Sequence, residues 1–277
     1  MKKFKRILLI DCSAVLHAVK FGAPKKLKSG EKSTFVIFGF LQKLRYLQRR
    51  TYSDVIVFAG DSLRSDSLRK KWYSIYKDGR DDAKKTPEQI ELDRIAMPQF
   101  NEVLEDVLPG LGYNNIFRFK GFEADDIIAK VCKKYKKAEI VIVTSDKDMY
   151  QLLTDNVCIM HPSTHTFFTK KDFRTKYELH PKMWKRVKSM AGCDSDNVKG
   201  IPGIGEKTVL QYLKGELPTH YKKYKDIKSK EGKKITDRNK KLVIIPYKGT
   251  PDIMIEEDRV TGDKIKKVAK KYNKKNQ

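Results

Sequence analysis

The sequence predicts an α/β fold, a mostly parallel β-sheet with helices on its faces. Short apolar runs recur at residues 6–10, 54–59, 115–119, 139–144 and, more weakly, 156–161. Helix signals lie between several of these runs, and strands that alternate with helices build βαβ units. Acidic residues follow three of the runs, and functional groups in such sheets gather at the carboxyl ends of the strands. We therefore expect the site at that edge.

Helices are predicted from their starts and their periodicity. Thr86-Pro87-Glu88 is typical of a helix start and predicts a helix to about Leu108, ended by Pro109-Gly110. Residues 124–137 carry an apolar stripe with lysines on the opposite face. In the second half of the chain, residues 181–191 predict a helix and the lysine-rich residues 221–241 predict a stretch that is partly loop. Residues 242–246 predict a short strand or an extended segment, and residues 263–275 predict a basic terminal helix.

Composition favours a nucleic-acid partner. The 277 residues include 60 Lys and Arg against 35 Asp and Glu, a net charge of +25, with solubility as the alternative explanation. Residues 63–85 interleave basic and aromatic side chains, which predicts either stacking and phosphate contacts with a single strand or an exposed helix face. No run approaches the roughly 20 apolar residues of a membrane span. Four cysteines without a CxxC pair indicate a reducing cytoplasm.

Carboxylates are concentrated against this positive background. Asp11, Asp61 and Asp146 follow three apolar runs, Asp148 comes shortly after, and residues 123–126 read Glu-Ala-Asp-Asp. Carboxylates without histidine neighbours suit Mg²⁺, and the five histidines form no motif, which argues against a zinc hydrolase and against histidine acid–base catalysis. Two ions at such a site activate a water and stabilise the leaving oxygen of a phosphodiester.

A glycine-rich hairpin comes next. Gly200, Gly203 and Gly205 lie between two helical segments, after Lys199 and before Lys207-Thr208. Glycines allow backbone N–H groups to approach phosphates closely, and the following helix directs its N-terminus toward the same backbone. The pattern predicts binding to a duplex without sequence preference, with an ordinary packing corner as the alternative.

These motifs resemble the 5′ nuclease (flap endonuclease) family, which includes the 5′ nuclease domain of bacterial DNA polymerase I and stand-alone phage flap exonucleases and RNase H-type enzymes. The resemblance covers about residues 5–215 and rests on three motifs in the family's order, at 123–126, 145–148 and 195–208. It implies a PIN-like catalytic domain over residues 1–165, with a basic helical arch at about 63–108. It also implies a helix–hairpin–helix (H3TH-type) DNA-binding subdomain over residues 166–277.

The resemblance also implies roles for individual residues. Two Mg²⁺ ions, replaceable by Mn²⁺, would be bound, with a K⁺ ion at the hairpin. The first ion would be surrounded by Asp11, Asp61, Glu123, Asp125 and Asp126. Asp146, Asp148 and Asp196 would serve the second, with Asp146 near both ions. Lys77 and Arg80 would stabilise charge on the scissile phosphate, and Tyr76 would stack on a base.

The sequence departs from the family pattern at the second ion. Cys193 stands where the family usually has an aspartate, Asp194 follows one position late, and Cys12 replaces a glycine. A thiol is a poor magnesium ligand. We therefore expect an active enzyme with a weakened second metal site, to which Asp194 still contributes a carboxylate.

The function that the resemblance implies is 5′-3′ exonuclease and flap endonuclease activity on DNA with 5′ flaps, nicks or RNA–DNA hybrid ends. Removal of RNA primers and flaps during replication follows, with replication proteins as partners. The length resembles stand-alone phage enzymes, which implies a monomer in the host cytoplasm. Two alternatives stay open: a catalytically silent structure-specific DNA-binding protein, and a PIN-type ribonuclease, which usually lacks the hairpin.

Overall fold

A six-stranded sheet forms the centre of the molecule. The computed structural model describes residues 4–22, 27–29, 32–62, 64–78 and 85–272. Its strands are β1 Arg6–Asp11, β2 Lys28–Ser29, β3 Lys32–Ser33, β4 Val55–Ala59, β5 Ile116–Phe117, β6 Glu139–Val143, β7 Val157–Met160, β8 Phe167–Phe168, β9 Gly192–Cys193 and β10 Val198–Lys199. The central sheet has the order β5-β4-β1-β6-β7-β8. All its pairs are parallel except β7 with β8, which confirms the predicted mostly parallel α/β fold.

Helices cover both faces of this sheet. They are α1 Cys12–Gly22, α2 Phe35–Thr51, α3 Ser67–Lys70, α4 Pro87–Glu102, α5 Leu108–Leu111, α6 Ala124–Lys134, α7 Lys170–Tyr177, α8 Trp184–Ala191, α9 Glu206–Lys214, α10 Lys222–Lys228, α11 Lys230–Val243 and α12 Gly262–Tyr272. Within the described ranges, none of them has both the length and the apolar character needed to cross a membrane.

Strand β1 shows why the apolar runs are continuous. Ile7 and Leu9 pack into one core cluster, with α6 and α8, while Leu8 and Ile10 pack into the other, with α2 and α4. All four side chains are fully buried. A parallel sheet covered on both faces needs apolar residues at every position, rather than at alternate ones. Between Arg6 at its start and Asp11 at its end, the strand therefore carries no polar residue.

Three local predictions are wrong, at the end of the helix that begins after Thr86, at 221–241 and at the start of 242–246. The helix that begins after Thr86 passes Pro109, because a wide turn at Val103–Val107 precedes α5, and it ends where Gly112 adopts a φ of 98°. The stretch 221–241, predicted to be partly loop, forms α10 and α11, and α11 extends through Val243. A buried face that includes Leu242 and Val243 holds α11 in place, so residues 242–246 do not form a strand.

The two predicted domains share a hydrophobic core. Phe173, Trp184 and Val209 belong to the same cluster as Ile7 and Leu9 of the sheet. The boundary near residue 165 is therefore bridged by packing. The predicted arch at 63–108 lies partly outside the described residues, at 63 and 79–84, and stays a prediction.

Candidate metal centre

Asp11, Asp61 and Asp146 lie together at the carboxyl edge of the sheet. Asp11 is the last residue of β1, and its carboxylate accepts a hydrogen bond from Thr144 Oγ1 at 2.7 Å. The same Thr144 oxygen accepts from the backbone N–H of Asp146 at 3.0 Å. Asp61, two residues beyond β4, accepts from the backbone N–H of Ala124 at 2.9 Å. Strand ends and a helix start thus position three carboxylates by backbone geometry.

Burial and mutual repulsion destabilise Asp11 and Asp125 as anions. Burial raises the pKa of Asp11 to about 6, and the charges of Asp61 and Asp146 add to the increase. Burial also raises the pKa of Asp125 well above its usual value, with Asp146 and Asp11 as the next causes. Because Lys77 and the hydrogen bonds from Thr144 and Ala14 offset this negative charge only in part, a divalent cation fits among these oxygens.

Glu123 meets cationic and phenolic partners from the segment before residue 79. Its carboxylate lies 2.6 Å from Lys77 Nζ and accepts a hydrogen bond from Tyr76 Oη at 3.2 Å. Burial lowers the pKa of Lys77, but Glu123 and Asp196 outweigh burial and the net shift is upward. Tyr76 is 2% exposed, so its ring offers no face to a base in this conformation. Stacking on a base stays a prediction that requires the ring to leave this position.

Asp126 is fully engaged by an arginine. Both of its carboxylate oxygens accept hydrogen bonds from Arg69, each at 2.8 Å. Its oxygens also accept from the backbone N–H groups of Glu123 and Tyr247, at 3.1 and 2.8 Å. Arg69 and Asp126 are both almost completely buried. The pair fixes the start of α6, so that Asp125 is presented to the sheet edge.

A second acidic group contains a thiol. Ligand atoms of Asp148, Cys193 and Asp196, all buried, lie within 4.8 Å of one another, the one such set in the ranges the structure describes. Burial raises the pKa of Asp148 to about 6, with Asp146 as the next cause, although Lys188 Nζ lies 2.9 Å from its Oδ1. The Cys193 sulfur and the Lys188 ammonium therefore occupy positions that oxygens would occupy in a site made of carboxylates alone.

The prediction that Asp194 contributes a carboxylate to the second metal site receives no support from the geometry. Asp194 is exposed and lies outside the group of three, whereas its neighbour Cys193 is 6% exposed and belongs to it. The Cys193 thiol and the Ser195 hydroxyl are 3.1 Å apart. Mg²⁺ fits the oxygens at the sheet edge but does not fit the sulfur of the second group.

The glycine-rich hairpin joins α8 to α9 and faces solvent. Ile201 and Ile204 are buried in the core, whereas Gly203 and Gly205 are exposed. Gly203 has a φ of 70°, and a Cβ atom added at Gly203 or Gly205 would meet nothing within 4 Å. Around it, Lys199 and Lys207 are exposed, Gly200 is half-buried and Thr208 is buried. Exposed backbone at the start of α9 is therefore accessible to a ligand.

Three residues that support the predicted metal ligands were not identified from the sequence, and one residue that was predicted, Arg80, lies outside the described ranges. Thr144, Lys188 and Arg69 each contact a predicted metal ligand. Nothing in the sequence distinguishes Arg69 or Lys188 from the many other basic residues. Arg80 lies outside the described residues, so its predicted role stays a prediction.

Fold and site together define a PIN-like α/β protein with a carboxylate-rich candidate metal centre. A family model described as the 5′-3′ exonuclease, N-terminal resolvase-like domain, matches residues 6–178. The chain therefore belongs to the 5′-3′ exonuclease family, which confirms the resemblance drawn from its motifs.

Curated relatives agree with this assignment. A 5′-3′ exonuclease from Aquifex aeolicus is 30% identical over 212 residues, covering 76% of this chain and 69% of the relative. One from Buchnera aphidicola is 28% identical over 260 residues, covering 92% and 81%. Thermostable DNA polymerase I of Thermus thermophilus is 32% identical over 212 residues, or 76% of this chain. The chain matches only 24% of that polymerase's length.

Solved structures confirm the fold. The 5′-exonuclease of bacteriophage T5 with bound zinc superposes with a TM-score of 0.74 at 21% identity, covering 87% of this chain and 90% of that one. Flap endonuclease-1 from Methanococcus jannaschii gives 0.58 at 15% identity, covering 98% and 88%.

Proposed function

We propose that the chain is a divalent-metal-dependent nuclease that hydrolyses phosphodiesters near 5′ ends and at branched junctions. The observation that carries the proposal is the convergence of Asp11, Asp61 and Asp146 at one sheet edge, with Asp125 among them, in a chain of net charge +25. Such charge attracts a phosphate backbone, while the carboxylates need cations. Family membership supports the same activity.

The residues fall into two unequal metal sites. Asp11, Asp61, Asp125 and Asp146 would hold the first ion, for which Mg²⁺, or Mn²⁺ in its place, suits the oxygen donors. Asp148 and Asp196 would hold a second, weaker one beside Cys193. When bound, the ions would lower the pKa of a water and stabilise charge on the phosphate. Asp126 supports the site through Arg69, because Arg69 occupies both of its oxygens.

The chain's own cation near the reacting phosphate would be Lys77. Its ammonium lies 2.6 Å from Glu123, and its backbone N–H donates to the Asp196 carbonyl at 2.8 Å. Lys77 has a φ of 58°, a left-handed conformation that is uncommon outside glycine. The contacts with Glu123 and Asp196 hold this positive charge among the carboxylates, where it would stabilise an entering phosphate.

The hairpin would bind the duplex behind the cut. Its exposed Gly203 and Gly205 and the start of α9 offer backbone N–H groups to phosphates, flanked by Lys199 and Lys207. A bound K⁺, replication partners, a monomeric state and a cytoplasmic location remain predictions of the family resemblance. A DNA complex of the T5 flap endonuclease, at 20% identity, has the same fold.

One observation favours a second candidate, a junction-binding protein with little catalysis. Lys188 pairs with Asp148, and Cys193 replaces an oxygen donor in the second group. Both features reduce the affinity of that group for a hard cation. Family membership favours the 5′ nuclease over a PIN-type ribonuclease.

The test is cleavage of a 5′-flap duplex and of a nicked RNA–DNA hybrid, with and without Mg²⁺, mapped at nucleotide resolution. We expect Mg²⁺-dependent cuts close to the junction, leaving a 5′-phosphate and a 3′-hydroxyl. Tight junction binding without cleavage in Mg²⁺ or Mn²⁺ would refute the nuclease and support the junction-binding protein with little catalysis.

A further inference from the structure

A basic groove lies outside the metal centre. Two adjoining cavities, of about 410 and 420 Å³, share Pro246, Tyr247 and Lys248 as lining residues. The first cavity is bounded by Trp72 and by Lys241 of α11, and the second by three lysines of α6, at positions 130, 133 and 134. We call this continuous surface the Trp72 groove.

Trp72 presents a rigid aromatic face at one end of the groove. It is 60% exposed, whereas the other tryptophan, Trp184, is fully buried. The ammonium of Lys241 lies 4.2 Å from the centroid of the Trp72 ring. The neighbouring Tyr73 packs under the guanidinium of Arg238 at 4.7 Å. Because Lys241 and Arg238 of α11 contact both rings, the indole is held in place while most of its surface stays exposed.

The middle of the groove is fixed to the back of the metal centre. Tyr247 donates its backbone N–H to Asp126 at 2.8 Å, and its ring lies 5.0 Å from the Arg69 guanidinium. The Arg69–Asp126 pair thus stands between the groove and the catalytic carboxylates. From there α6 leads away toward Lys133 and Lys134, and the helical rise from Asp126 to Lys134 is about 12 Å.

The charge of the groove suits a polyanion. Lys133, Lys241 and Lys248 are exposed and have no carboxylate ion-pair partner in the described part of the chain. Lys134 and Lys130 share one carboxylate, Asp252, at 2.6 and 3.9 Å. Positive charge therefore runs from the Trp72 end to the far end of α6 and exceeds the one acidic group in the groove wall.

We propose that the Trp72 groove binds single-stranded nucleic acid, with a base stacked on Trp72 and phosphates along Lys241, Lys248 and Lys133. An exposed indole beside the apolar wall of Ile244 and Pro246 offers a stacking face, which favours a nucleic-acid strand over an acidic peptide. The groove contains none of the proposed metal ligands, so this binding goes beyond the nuclease activity and requires neither a metal nor cleavage.

The experiment uses the full chain in EDTA, so that no strand is cut. Quenching of tryptophan emission by unlabelled oligothymidylate reports on Trp72, because the buried Trp184 contributes a constant background. Anisotropy of a fluorescein-labelled oligothymidylate gives the affinity at several salt concentrations. We expect quenching in the wild type, and an affinity at least about fivefold lower in Trp72→Leu, from the loss of base stacking.

Lysine variants test whether the strand follows the groove. Lys241→Gln/Lys248→Gln should lower the slope of log K against log salt by about 1.4, from two lost phosphate contacts, and should reduce quenching. The matched control is Lys266→Gln/Lys267→Gln. It removes the same charge from exposed positions of α12, which packs on the opposite face of the sheet, and should leave quenching intact.

Three results would refute binding of single-stranded nucleic acid to the Trp72 groove. They are an unchanged affinity in Trp72→Leu, an equal loss of affinity in the α12 control, and tighter binding of polyglutamate than of oligothymidylate. An abasic oligonucleotide should bind wild type and Trp72→Leu equally, because it has no base to stack. Cleavage of the flap duplex in Mg²⁺ is measured separately. Cleavage without strand binding in the groove refutes only the proposed groove binding. Strand binding in the groove without cleavage refutes only the proposed nuclease activity.

Discussion

The two parts of the acidic centre are built from different kinds of chain segment. Asp11 is the last residue of β1, Asp61 lies two residues beyond the paired strand β4, and Asp125 lies in the first turn of α6. Asp148 lies in a 3₁₀ turn at Lys147–Leu152, and Cys193 and Asp196 lie in a short hairpin and the turn within it. The sheet edge supplies carboxylates alone, whereas the second group combines two carboxylates with a thiol and the ammonium of Lys188.

The difference indicates where this chain can vary without losing the proposed metal centre. Strand pairing and the Arg69–Asp126 contact fix the sheet-edge carboxylates, so their geometry depends on the core. The second group depends on turns that tolerate a changed residue more easily. We therefore expect a tight first ion and a weak second one, and each prediction below tests one side of this contrast.

The largest effect is expected where the two parts meet. Asp146 interacts with Asp11 and Asp125 on one side and with Asp148 on the other. Asp146→Ala should lower the cleavage rate by more than about a hundredfold, because even residues that only support metal ligands cost 10- to 100-fold. Junction binding should be largely retained. Single-turnover cleavage and anisotropy measure both, and a rate near that of the wild type would refute the metal role.

The support of the sheet-edge part is tested through stability. Arg69→Met leaves Asp126 buried without its cation and leaves Glu123 with Lys77 alone, and should lower the free energy of unfolding by about 3–5 kcal/mol. Urea unfolding measures the loss. Arg94→Met, which removes an exposed arginine paired with Glu91, is the matched control and should change little. The double variant Arg69→Met/Asp126→Leu should recover stability, since Glu123 keeps its ion pair with Lys77 and no unpaired charge remains there.

The second part is tested at its sulfur. Cys193→Asp should raise the affinity of the weak site for Mg²⁺ by about tenfold, because a carboxylate replaces a poor ligand. Calorimetric titration with Mg²⁺ measures this without reference to activity. Binding of Cd²⁺, followed by the ultraviolet absorption of its thiolate complex, should fall in the same variant. Cys158→Ser, on β7, should change neither, and an unaltered Mg²⁺ affinity in Cys193→Asp would refute the weakened site.

The sequence predicts the sheet-edge part better than the second for the same physical reason. Apolar runs that end in Asp11 and before Asp61 locate strand ends, and parallel strands bring those ends to one edge. The pairing of Asp126 with Arg69 spans 57 residues and depends on the packing of α3 against α11. No local pattern encodes such a contact. The helices α10 and α11 were missed because their lysine-rich sequence hides a narrow buried stripe.

The smallest effect is expected at the hairpin that follows the second part. Gly205 precedes α9, has an ordinary negative φ of −89°, and has open space where a Cβ would stand. Gly205→Ala should therefore fold normally. It should weaken duplex binding by about tenfold if the added methyl group displaces one backbone N–H from a phosphate, since hydrogen bonds to charged groups contribute about 1.5–3 kcal/mol.

Gly262→Ala is the matched control for this variant, because Gly262 also has open space and begins α12 on another face. Anisotropy with a labelled duplex in EDTA compares the two variants. Equal affinity in both would remove the hairpin from the proposed DNA interface and leave it as a packing corner between α8 and α9. A loss confined to Gly205→Ala would instead place the duplex beside the second acidic group, where a weak metal site would bind its ion together with the substrate's phosphate.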